Sequence, residues 1–488
     1  NKRYDTSRLT TEFLNSEDCV KRISETVNRI ENELSSNRCI NEAYGSFTNF
    51  LMNEMDLAGL TVTSPIKYEC KSKQSKAKTF LKPYWSDLLQ QKWDAASKKE
   101  KLWLKCSDHT NIKRKLKQEY CAARNDFDKH LRKAKRTYQN KLQMDLMTEL
   151  EKPNSRDFWK QIGKIGISND RRDQIPWEGI DDDGEVTTDK ERVLQKWKTD
   201  YQTLFNDQTD SMLYDECHLD RIKKGEISSD PEHVDTSCLN EPITRCEVEK
   251  AVSRLKLRKA AGIDNIPAEV LKNKTCIDML QNIINFCFEN GVSPLEWKQG
   301  IINPIVKPNS TDVRLPLSYR GITLLSVPCK VYCDILNSRF GDWIEDSGVL
   351  VDEQCGFRRK RSCLDQIYSL YSIINDRKLS RLSTFACFID LKKAFDNVNR
   401  DCLWFKLQTF GVNGKILNAV KSLYDNTTCS VRVNNVFTSM FPVSCGVKQG
   451  CLISPTLFAL YINDLATEIK SLNKGIDIDS INVSILLY

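Results

Sequence analysis

No apolar run free of charge approaches the roughly 18 to 20 residues needed to cross a bilayer, the longest candidate being the stretch around CLISPTLFALYI. Membrane insertion is therefore not expected. Histidine is scarce, with four residues against nineteen cysteines, and no two cysteines stand in a CxxC pair. Cys217 beside His218 comes nearest to a metal-ligand pair, but no second pair stands at finger spacing, so a structural zinc site is not expected. An odd number of scattered thiols fits a reduced, intracellular protein better than a disulfide framework. Glycine and proline are absent between Pro83 and Pro153, which leaves helix as the default for that long charged stretch. A polar tail is lacking as well. The last residues, SINVSILLY, form an apolar, β-branched run that predicts a buried strand, and residue 1 is Asn, so a piece of a longer polypeptide is expected.

What is present is an ordinary globular composition, with material for two to four domains, and an uneven charge. The net charge is +7, yet Asn111 to Leu142 alone holds eleven Lys or Arg against three acids, a surplus larger than that of the whole chain. Within that stretch Leu116, Tyr120, Ala123, Phe127, Leu131, Ala134, Tyr138 and Leu142 recur at steps of three and four, so they line one helical face. Lys113, Arg114, Lys115, Arg132, Lys133, Lys135 and Arg136 fall on the others. Such a basic amphipathic helix is either a solvated outer face or an electrostatic contact to a nucleic-acid backbone.

Composition divides the chain into residues 1–162, mainly helical; residues 163–239, a linker with short helices; and residues 240–488. The linker carries turn signals such as DDDG at Asp181 to Gly184 and ISSDPEHVD, interrupted by ERVLQKWKTDYQTLF, which spaces Val193, Trp197, Tyr201 and Leu204 helically. The aspartate run lacks the ligand pattern of a calcium loop and reads as a solvated turn. After Pro242, Thr244 with Glu247 predicts a capping box, and short apolar runs then alternate with helical periods, as in a mixed α and β domain.

The segment richest in chemistry is TFACFIDLKKAFDNVNR. Phe385 to Ile389 predicts a buried strand delivering Asp390 at its end, where a carboxylate is costly unless it is paired, bound to a cation or capping a turn. A second segment begins with a predicted hairpin, CSVRV-NN-VFTSM, closed by Asn434 and Asn435. It continues through the loop Lys448-Gln449-Gly450 into a helix that Ser454 could cap with Pro455 at its first position. Glycine admits a ligand close to the backbone, and Gln449 adds a two-sided amide beside it.

Together these segments resemble the palm of a reverse transcriptase. KAAGIDNIPAEVLK, EWKQGIINPIVKP leading to SYRGITLLSVPCKV, EQCGFRRKRSCLDQI, FIDLKKAFD and QGCLISPTLFALYINDL stand in the order found in reverse transcriptases of LINE-type, non-LTR retrotransposons. That resemblance covers about residues 240–488. Residues 1–239 look like the helical segment between endonuclease and polymerase in those polyproteins, as in PYWSDLLQQKWDAASKKEKLW and SRDFWK. Ala261 and Gly321 depart from the commonest pattern, which has proline at both places.

The resemblance implies an α+β fold, the fingers and palm of a right-hand polymerase, preceded by a mainly helical region and ending at Tyr488, before the family's Asp-Asp hairpin. It implies RNA-directed DNA polymerisation by two-metal nucleotidyl transfer onto a primer 3′ hydroxyl. The partners would be an RNA template, a DNA primer and deoxynucleoside triphosphates, with two Mg²⁺ ions as cofactors and a ribonucleoprotein in nucleus and cytoplasm as the setting. Asp390 would bridge both ions, helped by the Leu391 backbone; Phe395 would be the steric gate; Gln449 and Gly450 would line the nucleotide pocket. Lys307 and Arg320 would meet the triphosphate. Arg358, Arg359, Lys360 and Arg361 would contact template backbone or form a solvated helix N-terminus. Without further carboxylates this chain is expected to be inactive alone; the alternative is a catalytically silent nucleic-acid-binding remnant of a decayed element. A maturase or telomerase-like relative shares the palm but not the long N-terminal region.

Overall fold

The computed structural model describes residues 3–10, 13–37, 39–62, 84–106, 110–150, 175–180, 184–206, 215–226, 234–307, 310, 312–478 and 481–487. It forms two units, Asn1–Pro65 with Gln174–Tyr488 and, separately, Ile66–Asp173. Asp181 to Asp183, most of ISSDPEHVD, SRDFWK and Tyr488 lie outside the described residues.

The larger unit begins with α1 (Glu17–Asn32) and α2 (Ile40–Leu57). Ser16 caps α1 by accepting the Cys19 N–H at 3.3 Å, and Cys19, Ile23, Thr26 and Ile30 form its buried stripe. In the smaller unit the glycine- and proline-free stretch makes two helices, α3 (Asp87–Lys105) and α4 (Thr110–Leu150). They pack as an antiparallel hairpin: Trp103 stacks on Tyr120 at 5.6 Å, Trp93 meets Phe127 at 5.2 Å and Tyr84 meets Tyr138 at 6.1 Å. The apolar face from Leu116 to Tyr138 is thus covered by α3, while Lys113, Arg114, Lys115, Arg132, Lys133, Lys135 and Arg136 stay exposed. The Leu142 side chain is outside the described ones.

The larger unit resumes with α5 (Lys190–Asn206), α6 (Arg245–Arg254) and α7 (Ile277–Asn290). The predicted capping box is present at α6, where Thr244 and Glu247 satisfy each other's backbone N–H. A mixed sheet follows, built from β1 (Gln299–Val306), β2 (Tyr319–Leu324), β3 (Thr428–Val433), β4 (Val436–Phe437) and β5 (Phe441–Pro442). Its order is β2-β1-β3-β4, with β5 also on β3; β1 and β3 run parallel and the other pairs antiparallel. Asn434 and Asn435 close the β3–β4 hairpin with φ of 48° and 69°, the double left-handed turn that their residue type favours.

Helix α5 belongs to this sheet rather than to a linker. Trp197 meets Tyr319 edge-on at 5.0 Å, and the Tyr201 ring lies on Gly321, where an added Cβ would stand 2.7 Å from Tyr201 Cε1. Glycine at 321, in place of the commoner proline, is what seats that ring.

Around the sheet lie α8 (Val327–Ser347), α9 (Cys363–Leu379), α10 (Arg400–Thr409), α11 (Gly414–Tyr424) and α12 (Ser454–Ser471). The main core joins α1, α2, α7, α8, α11 and α12. At its centre Asp264 accepts from the Tyr44 hydroxyl at 2.6 Å and the Ser326 hydroxyl at 2.5 Å, tying α2 and the start of α8 to the KAAGIDNIP loop. The two hydroxyls lie 3.0 Å apart, so Asp264→Ala leaves one of them short of an acceptor, and a loss of about 2 kcal/mol is expected, read from the denaturant midpoint at unchanged slope.

Three local expectations are not met. Phe385 to Ile389 has no regular secondary structure and pairs with no strand among the described residues, with Phe385, Phe388 and Ile389 93%, 84% and 79% exposed. The SINVSILLY run is divided: Ile481–Val483 pairs with Ile476–Ile478 in a two-stranded hairpin, while Leu487 bridges to Gln354. A strand exists only through a neighbour, and among the described residues these two segments are not neighbours. Ser454 is the first residue of α12 rather than its cap, and its hydroxyl lies 3.0 Å from that of Tyr424. Among the described residues no helix is long and apolar enough to cross a membrane.

Candidate active site

The antiparallel register pairs Ile305 with Arg320 and Asn303 with Ile322, so alternation puts Lys307, Arg320 and Ile322 on one face of the β1–β2 hairpin. Lys307 Nζ donates to the Leu317 carbonyl at 2.8 Å, and Arg320 is exposed without a hydrogen bond or ion pair among the described residues. The Val447–Cys451 loop docks against this hairpin. Thr323 N–H donates to the Gln449 carbonyl at 2.7 Å, and Gly450, at φ 110°, has no room for a Cβ, which would lie 2.7 Å from the Thr323 carbonyl oxygen.

On its other side the loop is tied to the LKKAFDNV turn. Val447 N–H donates to the Phe395 carbonyl and Gly446 N–H to that of Val398, each at 2.8 Å. Two cations, half-buried Arg400 and buried Lys448, hold the loop from beneath. Arg400 donates to the carbonyls of Gly446, Tyr424, Val443 and Cys445 and to the Thr427 hydroxyl, all within 3.0 to 3.3 Å. Lys448 Nζ donates to the carbonyls of Leu423 at 2.9 Å and Trp297 at 3.2 Å and lies 5.5 Å from the Tyr424 ring centroid.

Between hairpin and loop sits Asp396. Its Oδ1 accepts from Gln449 Nε2 at 2.8 Å. Burial pushes the carboxyl up to about 6, and the Gln449 hydrogen bond and the charges of Lys393 and Lys307 offset only part of that rise. A carboxyl whose folded-state value is raised favours the folded state when protonated. The contribution of this carboxyl to stability should therefore be full below about pH 4 and be lost, by on the order of 3 kcal/mol, as pH rises to about 6. Denaturation across pH 4 to 7 should show this fall, and Asp396→Asn should flatten it.

Phe395 stacks on Phe458 of α12 at 5.0 Å and 16°, which fixes its ring beside Asp396. The structure thus brings Lys307, Arg320, Phe395, Gln449 and Gly450 to one neighbourhood. Asp390 and Leu391 are exposed on the segment before the turn, and no hydrogen bond or ion pair joins Asp390 to the pocket among the described residues. A pair of divalent cations demands several oxygen ligands each. Among the described residues no cluster of three His, Cys, Asp or Glu is arranged to hold a metal, so Asp390 with the Leu391 carbonyl does not amount to a two-cation site.

The basic knot is mostly spoken for. Arg358 makes a two-pronged pair with Glu345, at 3.0 and 2.9 Å, and donates to the carbonyls of Val351 and Gln354. Arg359 pairs with Asp342, and Arg361 pairs with Asp352 at 2.9 Å. The acids that neutralise these charges come from α8 and the segment after it, which a reading of the knot alone could not include. Only Lys360 is exposed with no partner among the described residues.

Sequence reasoning missed Asp396, Arg400, Lys448, Phe458 and Tyr201. Asp396 stood in the quoted FIDLKKAFD run, and its burial beside Phe395 was the one available signal; the others act through contacts distant in sequence.

Residues 305–488 match the family described as "Reverse transcriptase (RNA-dependent DNA polymerase)". The probable RNA-directed DNA polymerase from transposon BS of Drosophila melanogaster is 31% identical over 226 residues, which cover 46% of this chain and 25% of that protein. The RNA-directed DNA polymerase from mobile element jockey of the same species is 26% identical over 228 residues, 46% of this chain and 25% of that one. The retrovirus-related Pol polyprotein from type-1 retrotransposable element R2 of Popillia japonica is 26% identical over 231 residues, 47% of this chain and 31% of that one. The matched stretch thus spans about a quarter to a third of these relatives' length. Over residues 305–488 this chain is thus similar to the reverse transcriptases of LINE-type, non-LTR retrotransposons.

Proposed function

We propose that the larger unit carries the fingers and front palm of an RNA-directed DNA polymerase, which joins a deoxynucleotide to a primer 3′ hydroxyl on an RNA template and releases pyrophosphate. The observation that carries this reading is the convergence of Lys307, Arg320, Phe395 and the Gln449-Gly450 loop around Asp396. Arg320 offers a free guanidinium fork to phosphate oxygens and Lys307 a point charge. Phe395, held by Phe458, presents a rigid wall to the sugar, and Gln449, held by Asp396, an oriented amide. Divalent ions would supply activation of the hydroxyl and neutralisation of the triphosphate. Asp390 is the residue proposed to serve them, and one carboxylate does not suffice; this chain is proposed to bind nucleotide and primer–template without extending the primer.

Nucleotide binding in the presence of an RNA–DNA primer–template tests the pocket. Arg320→Ala should weaken it about 10-fold or more, the loss of charge-assisted hydrogen bonds. An Arg320→Ala variant that binds as the parent does would count against the reading.

The exposed Lys113, Arg114, Lys115, Arg132, Lys133, Lys135 and Arg136 are proposed to contact nucleic-acid backbone, and Lys360 is the member of the second knot available for template. Salt dependence separates this from a solvated face. Reversing Lys113, Arg114 and Lys115 to Glu in the whole chain should reduce the slope of log affinity against log salt by about 2, as three single-strand phosphate contacts are lost. An unchanged slope would favour the solvated face. The exposure of Asp390 also favours the second reading, a silent nucleic-acid-binding remnant, which predicts RNA binding without any nucleotide pocket.

A further inference from the structure

We propose that Cys333 of α8 and Cys451 of the Val447–Cys451 loop are a redox-sensitive thiol pair, which a peroxide closes to a disulfide, and that the closed bond draws the loop away from the β1–β2 hairpin and lowers nucleotide binding. The effect on binding rests on the proposed function; the bond itself does not.

Three thiols meet in the main core. Cys451 Sγ donates to Cys333 Sγ at 3.5 Å, and Cys333 Sγ lies 3.9 Å from Cys329 Sγ, one turn away on the same helix. All three are free thiols. Cys451 keeps 6% exposure against 1% for Cys333 and Cys329, so a small oxidant meets it first. Its hydrogen bond with Cys333 holds the Cys451 thiol below its ordinary range despite burial, helped by the Ile453 N–H and the charge of Lys448. The thiolate is the form that reacts, and a thiol of thiolate character beside a resolving partner is what peroxide oxidises reversibly.

The step balances with hydrogen peroxide as the oxidant. The Cys451 sulfur attacks peroxide, the O–O bond breaks, a sulfenic acid forms and hydroxide leaves. The Cys333 sulfur then attacks the Cys451 sulfur, the S–S bond forms, the S–O bond breaks and a second hydroxide leaves. The two thiol protons convert both hydroxides to water, so two thiols lose two electrons to one peroxide. Cys333 is the resolving thiol because its sulfur is hydrogen-bonded to that of Cys451. A Cys329–Cys333 bond would join two residues of one helix and would tie nothing to the loop.

A disulfide is about 2.0 Å long, so the two sulfurs must close by about 1.5 Å. Around Cys333 the helix is fully packed, with Val331, Tyr332, Ile335 and Leu336 no more than 1% exposed, and a close-packed core yields little. The loop is the side that gives. Its hold on the hairpin is the Thr323 N–H on the Gln449 carbonyl at 2.7 Å and the close approach of Gly450 to the Thr323 carbonyl. A shift of Cys451 toward α8 pulls on both and displaces the Gln449 amide.

The test treats the folded whole chain with hydrogen peroxide, blocks remaining thiols with N-ethylmaleimide under denaturing conditions and maps the unreduced tryptic peptides by mass. Residues 321–330, 331–339 and 449–470 carry Cys329, Cys333 and Cys451 on separate peptides. The expected product joins 331–339 to 449–470, forms equally in Cys329→Ala and is absent from Cys333→Ala. Oxidation should weaken dTTP binding on an RNA–DNA primer–template about 10-fold or more, reversed by dithiothreitol, and should leave binding by Cys333→Ala unaltered. Free thiols at both Cys333 and Cys451 after the exposed Cys387 has been oxidised would overturn the proposal, as would a bond from Cys451 to Cys329 in the parent. A Cys333–Cys451 bond that leaves dTTP binding unchanged would overturn the switch. Absence of dTTP binding by the reduced parent would overturn the pocket and the switch with it, while the mapped bond would still establish the thiol pair.

Discussion

Arg400→Met should destabilise the larger unit by about 4 kcal/mol and abolish nucleotide binding. The half-buried guanidinium satisfies the carbonyls of Tyr424, Val443, Cys445 and Gly446 together with the Thr427 hydroxyl. Each acceptor left unpaired in the interior costs about 1 to 3 kcal/mol, and partial relaxation brings the sum down to the stated figure. Function is lost with stability because the carbonyls lie in the segment that enters the Gln449 loop. Gly446, at φ 77° with no room for a Cβ beside the Asp396 carbonyl, leaves that segment few alternative paths. Denaturant unfolding measures the first effect and dTTP titration the second. A loss below about 1 kcal/mol would mean that water replaces the Arg400 guanidinium at these carbonyls, contrary to this account.

Primer extension on an RNA template with Mg²⁺ should be undetectable for this 488-residue chain, although primer–template still binds. Asp390 lies exposed on chain without regular secondary structure, and no other carboxylate is clustered with it among the described residues. Metal-ion catalysis lowers the barrier by several kcal/mol, and each 1.36 kcal/mol is tenfold in rate, so an incomplete site forfeits orders of magnitude. Binding depends on dispersed Lys and Arg and should persist. Robust extension that Asp390→Asn abolishes would show that the single carboxylate suffices, and the account of the site would have to be replaced.

How much of this was legible beforehand depended on how local each feature is. The Thr244–Glu247 capping box, the Asn434-Asn435 hairpin and the faces of α4 and α5 are set by residues within a few positions of one another, and all are present. The order of motifs pointed to Gln449, Gly450, Phe395, Lys307 and Arg320 as one group. What local pattern cannot carry is a partner distant in sequence. Phe385 to Ile389 has the composition of a strand but no neighbouring strand among the described residues, so propensity alone leaves it unpaired. Arg358 has the look of a free cation until Glu345 is placed against it. Arg400 and Lys448 announce nothing in periodicity, because each is defined by carbonyls and rings tens to hundreds of residues away, and the periodicity that includes Tyr201 does not say what its ring will meet. The division of the chain shows the same limit: α1, α2 and α5 read as interdomain helix and linker, whereas Tyr44 and Tyr201 are built into the larger unit.

The claim on which all else depends is that β1, β2 and residues 446–451 form the walls of one deoxynucleotide pocket. Photocrosslinking with 4-thio-dTTP on an RNA–DNA primer–template, followed by peptide mapping, tests it most directly. The account predicts labelled peptides from the Lys307–Arg320 hairpin and the Gly446–Cys451 loop, competed by unlabelled dTTP and much less by UTP, because Phe395 walls off the sugar. Labelling confined to the basic helices Asp87–Lys105 and Thr110–Leu150, or labelling that UTP and dTTP compete equally, would contradict it.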